Sequence, residues 1–259
     1  MRLCRERIPT VMHEEPVVTN NITRCFMSGG ILGYAYAQGV SSWPVNYDYN
    51  LILDRCVVAN NQGRAGAMRL CNQGALKKSD PSPYVYATNC LFACNKSVAV
   101  EGSGATATFW GRGEFVNCTI AGNSPAGKVF HLANQDAATC PANAEVCKLV
   151  NTIISDNGDV PTYESTYGPI TARNSIFPEA EAATYAGKGN LVGPAVFRGT
   201  GKTPYALKEN SPGYGTGDAS IWTLKDVDLV GKRRLNSKNS VDMGCYRSHP
   251  VFGLVISFR

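Results

Sequence analysis

Few side chains of this chain could do acid–base chemistry together. Glu101 and Glu114 flank the stretch GSGATATFWGRG, with Arg112 between them, and Lys128 and His131 follow on GKVFHLANQD. Carboxylate, guanidinium, amine and imidazole are groups that acid–base catalysis recruits, provided they converge on one substrate. Convergence is restricted here. On a flat strand side chains alternate, so Lys128 shares a face with Phe130 while His131 shares the opposite face with Val129. A second set could contact sugars rather than react with them. Tyr34, Tyr36, Trp43, Tyr47 and Tyr49 crowd one segment, and Tyr163 and Tyr167 another. Such rings either stack on a sugar face or pack a long loop against the body of the protein. A metal centre is not expected, because His13, His131 and His249 lie far apart and no CxxC pair occurs.

The elements that must hold these side chains are read from an internal repeat. A polar residue precedes a small one at Arg24-Cys25, Arg55-Cys56, Asn89-Cys90, Asn117-Cys118, Asn151-Thr152 and Asn174-Ser175, and each pair opens a short apolar stretch that ends in a turn. Five residues after the small position stands asparagine in the four middle copies (Asn61, Asn95, Asn123, Asn157), with Gly30 and Ala180 in the outer two. The copies are 31, 34, 28, 34 and 23 residues apart, so the motif is tight and the period loose. Segments such as LDRCVVANN, ATNCLFACN, FVNCTIAGN and LVNTIISDN are β-branched, alternating and closed by Asn or Gly, which signals strand followed by turn. No sustained helical period separates them. Repeats of roughly 25–35 residues built from strands and turns alone predict a parallel β-solenoid.

In such a stack equivalent side chains recur about 4.8 Å apart along the axis. Cys, Thr or Ser at the repeated position is small enough to sit on its own copy in the narrow interior. Asparagine tolerates the left-handed backbone of a sharp corner, and its amide can bond the next copy for ~1 kcal/mol per rung. Acidic residues form no comparable array: Asp54 and Asp156 fall at different offsets in their copies, which does not suit the paired carboxylates of a glycoside hydrolase.

These copies, FVNCTIAGNSP above all, resemble the repeats of right-handed parallel β-helix proteins of the pectin-lyase-like superfamily. The later stretch LKENSPGYGTGD (Leu207–Asp218), Asp228, GKRR (Gly231–Arg234) and VDMGCY (Val241–Tyr246) resembles the closing segment of bacterial choice-of-anchor-Q β-helix proteins, with Tyr214-Gly215-Thr216 where an apolar-Asp pair is common. The resemblance covers about residues 21–246. It implies a single-stranded right-handed parallel β-helix of about six coils, and it is nearly silent on activity, since the superfamily holds lyases, hydrolases, epimerases and noncatalytic adhesins. For a lyase it implies a Lys, Arg or His base that takes the proton beside a uronate carboxylate, and cations, Arg or Ca²⁺, that neutralise that carboxylate. Glu101, Arg112, Glu114, Lys128 and His131 are the candidates. Export is also implied, to the cell surface or medium, although MRLCRERIPTVMHEEP has no apolar core of a signal peptide; Met1 is then not the native start, or the chain is truncated.

Composition bounds the rest. With 259 residues, 44% of them hydrophobic, the chain can bury a substantial core as one domain. Residues 1–20 are expected to form an N-terminal cap or truncated coil, 21–192 the helix, and 193–259 a C-terminal capping segment. Long excursions interrupt the coils at Gly33–Asn50, Lys77–Pro83, Ala133–Cys147 and Gly158–Gly168. A net charge of +5 is dispersed, with GKRR the one compact basic run, so nucleic acid is not an expected partner whereas acidic polysaccharide is compatible. VFGLVISF (Val251–Phe258) is too short to span a bilayer as a helix. Of ten cysteines, Cys25, Cys56, Cys90 and Cys118 are expected as buried thiols, Cys140 and Cys147 as a local disulfide in an oxidising compartment, and Cys4, Cys71, Cys94 and Cys245 stay unassigned. Three functions remain open: a noncatalytic surface module contacting glycans, a lyase acting on acidic polysaccharide, with Ca²⁺ only in that case, and a phage-fibre-like structural β-helix.

Overall fold

The computed structural model describes residues 10–12, 17–19, 30–35, 51–63, 65–72, 85–98, 105–110, 113–132, 147–165, 170–185 and 187–248. It is strand-dominated, and the strands of its sheets pair in parallel. The first sheet orders Thr10–Met12, Leu51–Asp54, Val85–Thr88, Gly113–Val116, Cys147–Val150 and Ile170–Arg173. The second orders Val17–Thr19, Val57–Ala59, Leu91–Ala93, Thr119–Ala121, Ile153–Ser155, Ile176–Phe177 and Leu191–Val192. The third orders Ile31–Ala35, Met68–Asn72, Ala105–Trp110, Lys128–Leu132 and Tyr163–Ser165. Gln62–Gly63 and Lys96–Ser97 make a two-stranded sheet between the second and third. Successive passes of the chain visit first, second and third sheets in that order.

Each pass turns two tight corners, one on entering the second sheet and one on leaving it. At the first corner the polar residue of each described repeat is left-handed: Arg55, Asn89, Asn117, Asn151 and Asn174 have φ of 50°, 55°, 48°, 51° and 47°. At the second corner the left-handed residues are Asn60, Cys94, Gly122 and Asp156. The left-handed turn therefore falls one residue before each laddered asparagine, not on it as the sequence suggests. This frees the asparagine to point inward and bond its copies.

The inward positions form two ladders. Cys56 N–H donates to Cys90 Sγ (3.4 Å), Cys118 N–H to Thr152 Oγ1 (3.4 Å), Thr152 N–H to Ser175 Oγ (3.0 Å) and Ser175 N–H to Asn190 Oδ1 (3.1 Å). Each small side chain also donates to a carbonyl two residues back or in the preceding pass, as Thr152 does to Val150 and Phe115 (both 3.1 Å). The thiols behave as hydroxyls would, and Cys56, Cys90 and Cys118 are buried. Contact with Cys90 together with burial raises the Cys56 pKa, and burial raises that of Cys90, so both stay protonated at neutral pH. In the second ladder the Oδ1 of Asn95 accepts from the backbone and side-chain amides of Asn61 (3.1 and 3.0 Å), Asn123 serves Asn95 alike (2.9 and 3.0 Å), and Asn157 serves Asn123 (3.1 and 2.8 Å). The Nδ2 groups of Asn95, Asn123 and Asn157 also reach Val58, Phe92 and Ile120 carbonyls of the preceding pass.

Between the ladders lies an apolar interior. Leu53, Ala87, Phe115 and Leu149 come from the first sheet, Val58, Phe92, Ile120, Ile154 and Phe177 from the second, and Met68, Ala107 and Phe130 from the third. Phe115 meets Phe92 and Phe130 with ring centroids 6.0 and 5.2 Å apart. At the last pass Glu179–Glu181 and Ala182–Tyr185 fold as short helices, and Tyr185 stacks on Phe177 at 3.8 Å. This small plug has no signature in the repeat.

Arg24-Cys25 lies outside the described residues, and the strand beside Val57–Ala59 is the earlier Val17–Thr19. Parts of three expected excursions are strand: residues 33–35 and Tyr163–Ser165 belong to the third sheet, their alternation hidden by glycine and tyrosine, and Cys147 opens a first-sheet strand as a buried free thiol rather than as the expected disulfide partner of Cys140. The remaining long excursions fall between the third sheet and the next strand of the first.

Asn123→Ala removes the acceptor shared by the two Asn95 amides, leaving the buried Asn95 backbone N–H without a partner and its Nδ2 with the Val58 carbonyl alone. A loss of about 2 kcal/mol or more in urea unfolding is expected, and Cys90→Phe should cost about 1–3 kcal/mol by overpacking the interior.

Candidate functional site

The candidate acid–base residues are divided among faces. Glu114 lies on the outer face of the first sheet, in register with Tyr86 and Lys148. Lys148 Nζ is 2.9 Å from Glu114 Oε1. Glu114 alternates with Phe115, whose ring points into the interior toward Phe130 of the third sheet. The first sheet and the interior therefore stand between Glu114 and the strand of Lys128 and His131. Lys128 and His131 are both half-buried, in register with Ala105 and Thr108. Burial lowers the pKa of Lys128. Glu101 and Arg112 lie outside the described residues.

The aromatic candidates are scattered too. Tyr34 is in a third-sheet strand, in register with Cys71. Tyr163 turns inward: it packs on the interior cluster and meets Tyr185 edge-on with centroids 6.3 Å apart. Tyr36, Trp43, Tyr47, Tyr49 and Tyr167 lie outside the described residues. Sequence reasoning misses the outer column of the first sheet, where Tyr86, Glu114, Lys148 and Thr171 share one register. Its signal is present in the alternation of VYAT, GEFV, CKLV and ITAR, but only the strand register aligns the four.

One organised polar surface is covered. The first-corner asparagines point outward and are met by the segment from 193 onward, which lies along the flank of the sheets. Asn89 Nδ2 donates to Val227 O (3.0 Å), Asn117 Nδ2 to Asp242 O (2.9 Å) and Gly244 O (3.1 Å), and Asn151 Nδ2 to Asp218 O (3.0 Å). Trp222 Nε1 donates to Asn117 Oδ1 (2.8 Å), Arg173 pairs with Asp218, and Arg234 donates through Nε to Asn89 Oδ1 (2.7 Å) while its guanidinium lies 5.5 Å from the Trp222 ring centre. Arg234 is fully buried, and burial pushes its pKa down to about 10, so it stays cationic at neutral pH beside Asp228 and Asp242. Both carboxylates are fully buried and accept backbone N–H groups from Val230, Lys232 and Arg247, and from Gly215 and Ser248.

The same segment seals the outer face of the second sheet. Ala59, Leu91 and Ala93 pack under Leu229, Cys245 and Tyr246, and Ile153 and Ile176 under Leu207 and Met243. A sheet covered on both faces reads as continuous apolar sequence, as LFA, TIA and IIS do. Gly244 permits the close approach. Its φ is +84°, and a Cβ there would stand 2.6 Å from Ile153 Cδ1 and Thr119 Oγ1.

Among the described residues no group of three His, Cys, Asp or Glu side chains could hold a metal ion, and no helix is long and apolar enough to cross a membrane. Comparison of the chain with protein-family models, with curated proteins and with solved structures finds no match.

Two substitutions separate framework from surface. Arg234→Met strips Asn89 of its donor and leaves Asp228 and Asp242 without a buried counter-charge, so a loss on the order of 3 kcal/mol is expected in urea unfolding. Lys148→Ala breaks only a partly exposed pair and should change stability by less than about 0.5 kcal/mol.

Proposed function

We propose that the parallel sheets close into one right-handed β-helix of the pectin-lyase-like kind, and that the chain is a noncatalytic module of an exported bacterial surface protein that contacts glycans. The observation that carries this reading is the separation of the candidate acid–base groups among the described residues, Glu114, Lys128 and His131. Glu114 is engaged with Lys148 on the outside of one sheet, while Lys128 and His131 belong to another. A reaction that takes one proton and neutralises one carboxylate needs its groups around a single substrate. Binding has a looser requirement. A face whose side chains recur at the spacing of parallel strands offers an elongated polymer one contact at each pass. Tyr86, Glu114, Lys148 and Thr171 form such a column, with one ring for a sugar face and three polar groups for hydroxyls.

A lyase acting on uronate-containing polysaccharide has one observation in its favour. Lys128 is half-buried and burial lowers its pKa, the direction that favours a lysine acting as a base.

A glycan array read beside an ultraviolet screen for unsaturated uronate products separates the two. The expected outcome is glycan binding by the wild type with no ultraviolet-absorbing product, and an unaltered fold in Glu114→Gln and Lys128→Ala. Cleavage of uronate glycans by the wild type but not by these variants would overturn the noncatalytic reading.

A further inference from the structure

The compact basic run Gly231–Arg234 is split by the fold. Arg234 is buried against the flank, whereas Lys232 is half-buried and Arg233 is exposed. They sit in a short hairpin in which Val227 bridges Arg233 and Arg234 N–H donates to Asp226 O (2.8 Å). Two tight turns shape this edge. Gly231 N–H donates to Asp228 O (3.1 Å) and leaves Val230 at the tip, 42% exposed. Asp226 N–H donates to Thr223 O (3.2 Å) and leaves Leu224, 63% exposed, beside exposed Lys225. With Ile221, these are three of the four large apolar side chains exposed among the described residues.

The acids of the edge are turned away from solvent or held locally. Asp228 is fully buried, and the Asp226 carboxylate accepts from Thr223 N–H (2.6 Å) and its hydroxyl (2.8 Å). Between 223 and 233 the fully exposed charges, Lys225 and Arg233, are cationic, Asp226 is half-buried, and Leu224 and Val230 are exposed in the two turns. Cations alone would suit any polyanion. Exposed Leu and Val side chains gain nothing against a hydrated polysaccharide, but they lose water contact when they enter the boundary between headgroups and acyl chains.

From this juxtaposition we infer that the hairpin edge is a contact surface for an anionic lipid bilayer. Lys225 and Arg233 meet the headgroups and Leu224 and Val230 enter the boundary layer. The inference is independent of the glycan reading, which concerns the outer face of the first sheet.

Co-sedimentation of the full chain with phosphatidylcholine vesicles, with and without phosphatidylglycerol, tests it. The wild type should partition onto the anionic vesicles at least about tenfold better than onto the neutral ones. Lys225→Glu with Arg233→Glu, and separately Leu224→Ser with Val230→Ser, should each reduce that partition about tenfold. Thermal melts should stay unchanged, because these side chains point to solvent. Equal partition onto both vesicle types would overturn the inference. So would a charge-reversed variant that loses binding while the Leu224→Ser/Val230→Ser variant keeps it, since that pattern describes a plain polyanion site such as one for acidic polysaccharide.

Discussion

Each pass of the chain through the interior carries two polar side chains out of reach of water, and only the neighbouring passes can satisfy them. An asparagine answers this almost completely. Its oxygen accepts the backbone and side-chain amides of the preceding pass, and its own amide reaches a carbonyl there. The Cys, Thr and Ser rungs do likewise with one donor and one acceptor. A buried polar group costs most when it lacks a partner, so a one-residue slip of any strand would break both ladders at once. The ladders therefore fix register where the hydrophobic core alone would tolerate sliding. They also explain the economy of the repeat: sequence is restrained from the first sheet through the second, and released afterwards.

The flank obeys a related constraint. Left-handed asparagines at the first corner project amides outward, and the second sheet presents apolar side chains on the same side. Both needs are met by one segment, which supplies carbonyls to Asn89, Asn117 and Asn151 and apolar cover to Leu91 and Ile153. Its own buried charges, Arg234, Asp228 and Asp242, are held by backbone and side-chain hydrogen bonds. The second sheet is consequently closed to ligands, and the first sheet keeps a solvent-facing column.

Much of this is legible in the chain because the chemistry is local. Cys56, Cys90 and Cys118 reveal themselves as inward by being small at one recurring offset, and Asn95, Asn123 and Asn157 by answering them five residues later. The outward role of Asn89 and Asn117 is not legible, since their partners Val227 and Asp242 are more than a hundred residues away in sequence. Tyr163 shows the limit for the candidate site. In a Tyr- and Gly-rich stretch its ring reads equally as a sugar platform or as core, and only Tyr185, brought over it by an unforeseen helical plug, decides the direction it faces. Glu114 is similar: alternation gives its face, but its engagement with Lys148 depends on the register of two strands.

Native-state hydrogen exchange at the backbone amides of Asn61, Asn95 and Asn123 bears most directly on the ladder. These three N–H groups donate to side chains of the next pass rather than to a regular strand partner. The account predicts that they exchange only through global unfolding, with protection equal to that of Phe92 and Ile120 in the central strands. Exchange at the rate of an open loop, with those strands still protected, would contradict it.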